Sequence, residues 1–373
     1  MKILLTGATG TLGSELVKLL HKNNHKLYCL IRPKKNFEAQ ERLSVIIGNK
    51  DNRVIVISGD ITELDSGISN YDLQLINNNV DIVIHAAASI KFDQEFADEI
   101  EKINIYGTKN IISLSKKIKA KSFHYISTAY VAGDATIFNE NDFEMNQIFR
   151  NPYERTKKEA EALVRKEFNK SFTIYRPSIL VGNFYNGQIS SFDGFYGFLK
   201  VFWRLKQKIE SLNSIQKKMI ENICRIDEDD KLFFPININC SSTSTLNLVP
   251  LDWVANNIVN LIEYPATGQV FHLVNDSPPK VKFVFEYALK KLGIKGVNLG
   301  DNVKTTKLPK EFDILNRIFN IYSPYIIHES IFGAYNLKKV LNYKYRASPA
   351  VEEEYLSRLI SYAIKVDFRD KSF

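Results

Sequence analysis

Three side chains in the middle of the sequence have the types and spacing for proton transfer. Tyr153 and Lys157 stand four residues apart in the stretch NPYERTKKEAE, so they share one face of the helix that this stretch predicts. Thr128 ends the apolar stretch FHYIST. An ammonium beside a phenol favours the phenolate, so we expect Lys157 to lower the pKa of Tyr153, with Thr128 stabilising an oxyanion. The stretch YERTK alone favours an exposed surface pair, and other segments decide between the two interpretations.

A glycine-rich loop at the start of the chain predicts a nucleotide site. The sequence TGATGTLG carries Gly7, Gly10 and Gly13 directly after a short apolar strand and at the beginning of a helix. In such a unit the glycines permit a tight turn, close approach of the backbone to a pyrophosphate, and close packing of helix on sheet. The alternative is a glycine turn without a ligand. We expect the intervening residues to line the same site, at Thr9, Thr11 and Leu12.

The end of the second predicted strand bears on the choice of cofactor. An acidic residue there binds the ribose 2′-hydroxyl of NAD, whereas an arginine accommodates the 2′-phosphate of NADP. The stretch CLIRPKK places Arg32 at this point, followed by Lys34 and Lys35, and the first acidic residue is Glu38. A guanidinium suits a phosphate. We therefore predict NADPH rather than NADH, with a role in surface solubility as the alternative for these charges.

Two further strand ends are expected at the cofactor. Asp60 and Ile61, in SGDIT, follow the third predicted strand, where an adenine edge would lie. Ala86, Ala87 and Ala88, in HAAAS, follow the fourth. Small side chains leave room for a cofactor, although simple packing explains the alanines equally well.

The elements that must position these residues alternate between strand and helix. Apolar runs follow one another as strand, helix, strand from Lys2 to the strand SFTIYRPSIL, a pattern typical of a parallel sheet covered on both faces. We predict the α/β class, with a Rossmann-type doubly wound sheet and a smaller mixed α/β C-terminal substrate lobe. The predicted boundaries are 1–182 for the core and 183–373 for the lobe, with core strands and a helix returning around 246–275.

Composition excludes several classes of function. The chain has 373 residues, only three cysteines and six scattered histidines, and no spacing of these residues predicts a metal site. The net charge of +8 is spread along the sequence, which argues against nucleic acid as a partner. We recognise neither a signal peptide nor an apolar run long enough to span a bilayer. We expect a cytoplasmic protein, and peripheral membrane contact stays open.

As a set, these segments resemble the extended short-chain dehydrogenases/reductases. TGATGTLG, GDI, HAAA, NIYGTKN, YISTAYV, YERTK and YRPSILVG cover residues 1 to about 185 in order, and LVPLDWVANNI and FHLVND continue the match. The resemblance implies that Thr128 is the hydroxyl of a catalytic triad, Tyr153 its acid/base and Lys157 the partner of the tyrosine. It also implies that Asn104 serves helix geometry and a proton relay, and that the cofactor is contacted by two residues of YRPSILVG, Pro177 and Ile179.

Within this superfamily the chain looks most like the acyl-thioester reductases, which include fatty acyl-CoA reductases and terminal reductase domains of peptide and polyketide synthases. HAAASIKFDQ, YISTAYVAGD and YRPSILVGNFYNGQISSFDGFY carry this likeness. It implies a substrate that is an acyl-CoA or an acyl group on a separate carrier protein, because we recognise neither a carrier nor an adenylation domain. The aromatic stretch FDGFYGFLKVFWRLK then either lines an acyl channel or forms lobe core through Phe195, Phe198, Leu199 and Phe202.

Three other functions fit the same superfamily or its cofactor site. A nucleotide-sugar epimerase or dehydratase uses the same triad and consumes no NADPH overall. A reductase of small ketones or hydroxysteroid-like molecules is the second. A cofactor sensor without catalysis is the third, and the set of Thr128, Tyr153 and Lys157 argues against it.

Overall fold

The computed structural model describes residues 1–34, 37–48 and 51–370, so Lys35, predicted near the cofactor phosphate, lies outside the described residues. The described strands, in chain order, are β1 Lys2–Thr6, β2 Lys26–Ile31, β3 Val54–Ser58, β4 Ile82–His85, β5 Ser122–Ile126, β6 Ile137–Phe138, β7 Phe172–Pro177, β8 Ile179–Val181, β9 Arg225–Ile226, β10 Leu232–Phe233, β11 Asn237–Asn239, β12 Leu248–Pro250, β13 Gln269–Leu273, β14 Ile294–Lys295, β15 Asn298–Gly300 and β16 Ile331–Phe332.

The α-helices of the described residues alternate with the strands in the first half of the chain and dominate the second half. They are α1 Thr11–Lys22, α2 Ala39–Ile47, α3 Asn70–Ile76, α4 Ala97–Glu101, α5 Gly107–Lys117, α6 Pro152–Phe168, α7 Phe195–Ser211, α8 Ser214–Ile220, α9 Leu251–Leu261, α10 Val281–Leu292, α11 Asp313–Ile327, α12 Tyr335–Leu341 and α13 Glu353–Lys365.

Seven parallel strands form the central sheet in the order β13-β7-β5-β4-β1-β2-β3. The strand order reverses between β1 and β4, because the chain runs outwards from β1 to β3 and then returns to place β4 on the other side of β1. In open α/β sheets ligands bind at the carboxyl ends of the strands beside such a reversal. The predicted Rossmann-type α/β fold is therefore confirmed.

Apolar side chains of the helices cover both faces of this sheet. On one face Leu16 of α1 shares a buried cluster with Val254 and Ile258 of α9. On the other face Ile111 of α5 and Val164 of α6 lie in a second cluster. Helix α9 and strand β13 thus return from beyond residue 246 to complete the sheet and its cover.

The predicted strand SFTIYRPSIL is in fact two strands. Pro177 ends β7, and the chain leaves the central sheet at Ser178, whose hydroxyl donates to Asn247 Oδ1 at 2.7 Å. Strand β8 then pairs with β12 in a separate two-stranded sheet. The change of partner turns the chain from the carboxyl end of β7, which lies between β13 and β5, towards the part predicted as the substrate lobe (183–373), most of whose buried apolar residues form a separate cluster.

Helix α6, which carries Tyr153 and Lys157, has clear start and stop signals. Asn151 is its N-cap and its side chain accepts the Glu154 backbone N–H at 3.0 Å, and Pro152 occupies the first turn. The helix ends before Asn169, which adopts a left-handed conformation. These local signals fix where the helix begins and therefore which residues its first turn presents to the sheet edge.

Candidate active site

A cavity of about 470 Å³ lies where the carboxyl ends of β1, β4, β5 and β7 meet the substrate lobe. Thirteen of the predicted site residues line it, namely Gly7, Thr9, Gly10, Thr11, Leu12, Gly13, Ala86, Ala88, Thr128, Tyr153, Lys157, Pro177 and Ile179. The remaining predicted residues lie outside its lining, namely Arg32, Asp60, Ile61, Ala87 and Asn104. The structure therefore brings the predicted triad and glycine loop into one cavity.

The glycine loop is shaped by contacts that leave no space for side chains. Gly7 has φ +72°, and a Cβ at this position would lie 2.6 Å from the backbone nitrogen of Ala87. A Cβ on Gly13 would lie 1.9 Å from the carbonyl oxygen of Gly7. Helix α1 begins just after Gly10 without a side-chain cap, so its first amides have no side-chain acceptor. A loop of this form fits a dinucleotide pyrophosphate at the helix N-terminus.

A basic cluster flanks the loop on the side of β2. Arg42 donates to the Thr9 hydroxyl at 2.8 Å and to the carbonyl oxygen of Arg32 at 2.5 Å. Burial, together with the charges of Arg42 and Arg32, lowers the pKa of Lys34. Arg42 is a neighbour of the glycine loop that the sequence did not reveal, because no motif places a buried arginine within α2.

The two predicted adenine neighbours are engaged by the protein itself. The Asp60 carboxylate accepts the Thr62 amide and hydroxyl at 2.9 Å each and lies 3.6 Å from the Arg32 guanidinium. Ile61 packs against α5, where a Cβ on Gly107 would lie 2.8 Å from the Ile61 Cδ1. Asp60 is thus held next to Arg32, and the Ile61 side chain faces α5.

Two adjacent hydroxyls at the end of β5 have different environments. The Ser127 hydroxyl donates its hydrogen bond to the Glu161 carboxylate at 2.9 Å. Thr128 lies beside Tyr153, and its oxygen accepts the Tyr130 amide at 3.3 Å. The hydroxyl that faces the tyrosine is therefore that of Thr128, as the sequence predicts.

The expected effect of Lys157 on Tyr153 is wrong for the protein alone. Burial raises the pKa of the Tyr153 phenol to about 12, the hydrogen bond with Thr128 opposes this rise, and the charge of Glu154 adds to it. Loss of hydration outweighs any nearby positive charge, although part of the side chain remains exposed to the cavity. Tyr153 is accordingly a protonated phenol, suited to donating a proton.

The environment of the Lys157 amine explains why this amine does not lower the pKa of Tyr153. The amine donates to the Ile126 carbonyl at 2.5 Å and lies 4.2 Å from the centroid of the Tyr125 ring. Burial lowers the pKa of Lys157 to about 7, opposed by the charge of Glu161. Near neutral pH the amine is therefore charged only part of the time.

A buried ionic network supports the triad from behind. Glu161 lies one turn after Lys157 on α6 and binds the Arg176 guanidinium through both carboxylate oxygens, at 2.6 and 3.1 Å. Arg165 donates to the same carboxylate at 2.8 Å. Although burial opposes ionisation, these arginines lower the pKa of Glu161 to about 2. The network thus holds a permanent carboxylate beside Ser127 and below Lys157.

Asn104 lies behind the cavity, in a π-helical turn that joins α4 to α5. Its amide donates to the Ser89 carbonyl at 3.1 Å and to the Thr156 hydroxyl at 3.0 Å, and its oxygen accepts the Ser89 amide at 2.7 Å. Single π-helical turns are frequent at functional sites. In the protein alone Asn104 ties α6 to the loop after β4, which agrees with the expected role in helix geometry.

The side of the cavity away from the glycine loop is apolar and aromatic. Phe195 and Phe198 of α7 line it, whereas Leu199 and Phe202 lie only in the core of the substrate lobe, which also contains the first two. Sequence reasoning had missed several other wall residues, namely Ile90, Phe92, Leu246, Phe285, Tyr322 and Tyr325. Of these, Ile90 and Phe92 stand in the segment HAAASIKFDQ, which carried the family resemblance, whereas the last four had no sequence signal.

Two structural properties bear on other classes of function. Within residues 1–34, 37–48 and 51–370, no three His, Cys, Asp or Glu side chains group as a metal site. Over those same ranges, no helix has the length and apolarity needed to cross a bilayer.

Comparison with known proteins gives a family match and several relatives. The family model described as Male sterility protein, an NAD-binding type, matches residues 5–258. Fatty acyl-CoA reductase wat of Drosophila melanogaster is 29% identical over 237 residues, covering 52% of this chain and 46% of that protein. A linear gramicidin synthase protein of Brevibacillus parabrevis is 25% identical over 289 residues, 73% of this chain and 5% of that protein.

The match with the first of these proteins spans less than half of its length. Among solved structures, the terminal R domain of the myxalamid PKS-NRPS pathway superposes with a TM-score of 0.74 at 22% identity, covering 99% of this chain and 91% of that chain. The NAD complex of UDP-glucuronic acid 4-epimerase from Bacillus cereus gives a TM-score of 0.63 at 20% identity, covering 98% of this chain and 100% of that chain. At these identities the superpositions establish a shared fold.

Proposed function

The chain belongs to the Male sterility protein family of NAD-binding domains, and from this membership we propose that it is an oxidoreductase that uses NADPH to reduce an acyl thioester. The predicted resemblance to this branch of the extended short-chain dehydrogenases/reductases is thereby confirmed. The observation that carries the proposal is the presence of Thr128, Tyr153 and Lys157 in the same cavity as the glycine loop.

The roles of the three residues follow from their environments. A bound nicotinamide cofactor would supply the hydride. Tyr153, which burial keeps protonated, donates its phenol proton to the carbonyl oxygen that gains negative charge. Thr128 donates a hydrogen bond to the same oxygen and stabilises its charge. Lys157 would hold the ribose hydroxyls of the bound cofactor and, when protonated, adds positive charge behind the phenol.

The choice of NADPH over NADH rests on the basic cluster. Arg32 has a side chain that is 55% exposed and therefore accessible, and Arg42 is hydrogen-bonded to Thr9 in the glycine loop. Lys34 adds a third cation at the same place. Three cations beside the loop suit a 2′-phosphate, whereas Asp60, the nearby acid, is engaged by Arg32 and Thr62.

The substrate class rests on the apolar wall of the cavity. Phe92, Phe198 and Phe285 present rings where an acyl chain would lie, whereas a nucleotide sugar needs many polar partners. This wall favours a thioester over the epimerase alternative. The proposed substrate is an acyl-CoA or an acyl group on a carrier protein.

The cysteines bear on the location of the protein. Buried free thiols occur at Cys29, Cys224 and Cys240, and they support a reducing compartment such as the cytoplasm.

The test is a comparison of substrates for the whole chain. NADPH oxidation is followed, and the products are identified by chromatography, with a long-chain acyl-CoA, UDP-glucuronic acid, and a panel of aldehydes and ketones. We expect oxidation with the acyl-CoA, breakage of the C–S bond with release of free CoA thiol, and formation of an aldehyde, or of an alcohol when a second NADPH is consumed. Conversion of the nucleotide sugar without net NADPH consumption, and no turnover of any thioester, would replace this proposal by the epimerase.

A further inference from the structure

Helix α11 of the substrate lobe crosses to the Rossmann-type core beside the cavity. Near its beginning, Arg317 contacts Asp93 at 2.5 Å and Glu95 at 2.7 Å, and both acids follow β4. The Arg317 side chain is half exposed, so these ion pairs contribute little stability by themselves. They do fix one end of α11 against the segment that contains Phe92.

The other end of α11 contacts the helix that carries Tyr153. The Tyr325 hydroxyl donates to the Glu154 carboxylate at 2.6 Å and accepts the Asn151 side-chain amide at 2.6 Å. Asn151 is the N-cap of α6, and Glu154 lies in its first turn, adjacent to Tyr153. Glu154 has no exposed side-chain surface, and its carboxylate also accepts a hydrogen bond from the Arg150 guanidinium at 3.2 Å. The contact between Tyr325 and Glu154 is therefore buried and charge-assisted.

Aromatic stacking makes a second connection between the same elements. Phe92 stacks on Tyr325 with ring centroids 5.7 Å apart, and its ring also lies 5.6 Å from that of Tyr153. The Arg150 guanidinium lies 5.0 Å from the centroid of the Tyr325 ring. Tyr325 itself lines the cavity. One side chain of the substrate lobe therefore touches both the cavity and the first turn of α6.

We propose that Tyr325 is a positioning residue for Tyr153, because its hydroxyl anchors the first turn of α6 to the substrate lobe and so sets the place of the Tyr153 phenol. The inference rests on the proposed function for the role of Tyr153 as the acid. Tyr325 thus joins the wall of the cavity to the helix turn that carries the acid.

The first measurement is turnover by Tyr325→Phe, which keeps the ring and its stacking but removes both hydrogen bonds. We expect kcat to fall by about tenfold with the KM for NADPH unchanged, because a misplaced acid slows the chemical step. The matched control is Tyr345→Phe, which removes a phenol–carboxylate hydrogen bond to Asp276 outside the cavity lining and leaves kcat unchanged. A rise in the KM of the acyl substrate with kcat unchanged would reduce Tyr325 to a wall residue and overturn the inference.

The second measurement needs no substrate and separates this inference from the proposed function. Amide hydrogen exchange is compared for residues 154–157 in the parent, Tyr325→Phe and Tyr345→Phe. We expect faster exchange of this segment in Tyr325→Phe alone. Unchanged exchange there would overturn the inference whatever the activity, whereas a parent that reduces no thioester, aldehyde or ketone counts against the proposed function and leaves the exchange result to decide the anchor.

Discussion

The Lys157 amine lies 4.2 Å from the centroid of the Tyr125 ring, in direct contact with the face of a buried aromatic residue. The sequence predicts an ammonium beside Tyr153, but burial lowers the pKa of Lys157 to about 7. The Tyr125 face and the Ile126 carbonyl both favour the charged form and only partly offset the lost hydration. Lys157 is therefore a titrating group in the working range of pH.

The pH dependence of stability tests this directly in the variant Lys157→Met. Lysine has a pKa of 10.5 when unperturbed and about 7 in the folded chain, so between these values the unfolded state binds more protons than the folded state. The unfolding free energy of the parent should therefore rise with pH across this window relative to Lys157→Met, with a slope of up to about 1.4 kcal/mol per pH unit. The measurement is denaturant unfolding from pH 6 to 10.

Parallel stability profiles for the parent and Lys157→Met would show that the amine stays charged in the folded chain. Lys121→Met is the matched control, because it removes the same charge from a side chain that is 78% exposed at the opposite edge of the sheet. Its stability profile should run parallel to that of the parent.

The basic cluster leads to a prediction about cofactor choice. Arg42→Ala removes the guanidinium that donates to Thr9 in the glycine loop, and we expect the Kd for NADPH to rise about tenfold or more, since hydrogen bonds to charged groups contribute about 1.5–3 kcal/mol. The Kd for NADH should change much less, because NADH lacks the 2′-phosphate. Isothermal titration with both cofactors makes the comparison, and Arg32→Ala should act in the same direction.

Lys121→Ala, at the exposed lysine used above, is the control for net charge. An equal loss of affinity for NADPH and NADH in Arg42→Ala would indicate that the arginine only supports the loop. A parent that binds the two cofactors with equal affinity would contradict the preference for NADPH altogether.

The glycine loop predicts a second loss of binding, for a different physical reason. Gly13→Ala places a Cβ 1.9 Å from the Gly7 carbonyl oxygen, so α1 must move away from the loop. We expect cofactor binding to be lost and the Tm to fall by several degrees, as for other overpacked sites. Gly300→Ala, whose Cβ would lie 3.4 Å from a Val303 methyl, is the control and should leave both properties nearly unchanged. Normal affinity in Gly13→Ala would contradict a tightly packed loop.

Sequence reasoning recovers those parts of the site that depend on local pattern. The glycine loop, the hydroxyl after β5, and the pair Tyr153 and Lys157 each lie within one short motif, and a parallel sheet necessarily brings its carboxyl strand ends to one edge. Their roles in catalysis stay predictions, but their meeting in one cavity follows from the alternation of strands and helices.

The parts that could not be predicted depend on contacts between distant segments. Tyr325 meets Glu154 across 171 positions of sequence, and Arg176 meets His272 across 96. A sequence also does not show whether burial or a nearby charge has the larger effect on a pKa. For this reason the sequence predicts a lowered pKa for Tyr153, whereas burial in the folded chain raises it. These long-range contacts and pKa values arise from the packing of distant segments and not from any one motif.

The most direct test of proton donation to a thioester carbonyl is the rate of NADPH oxidation with a long-chain acyl-CoA in the parent and in Tyr153→Phe. The parent is expected to turn over, and Tyr153→Phe to be slower by about 100-fold or more, the usual contribution of a general acid, with NADPH affinity nearly intact. Tyr343→Phe, at a side chain that is 78% exposed, should match the parent. An undiminished rate in Tyr153→Phe would contradict the assignment of Tyr153 as the acid.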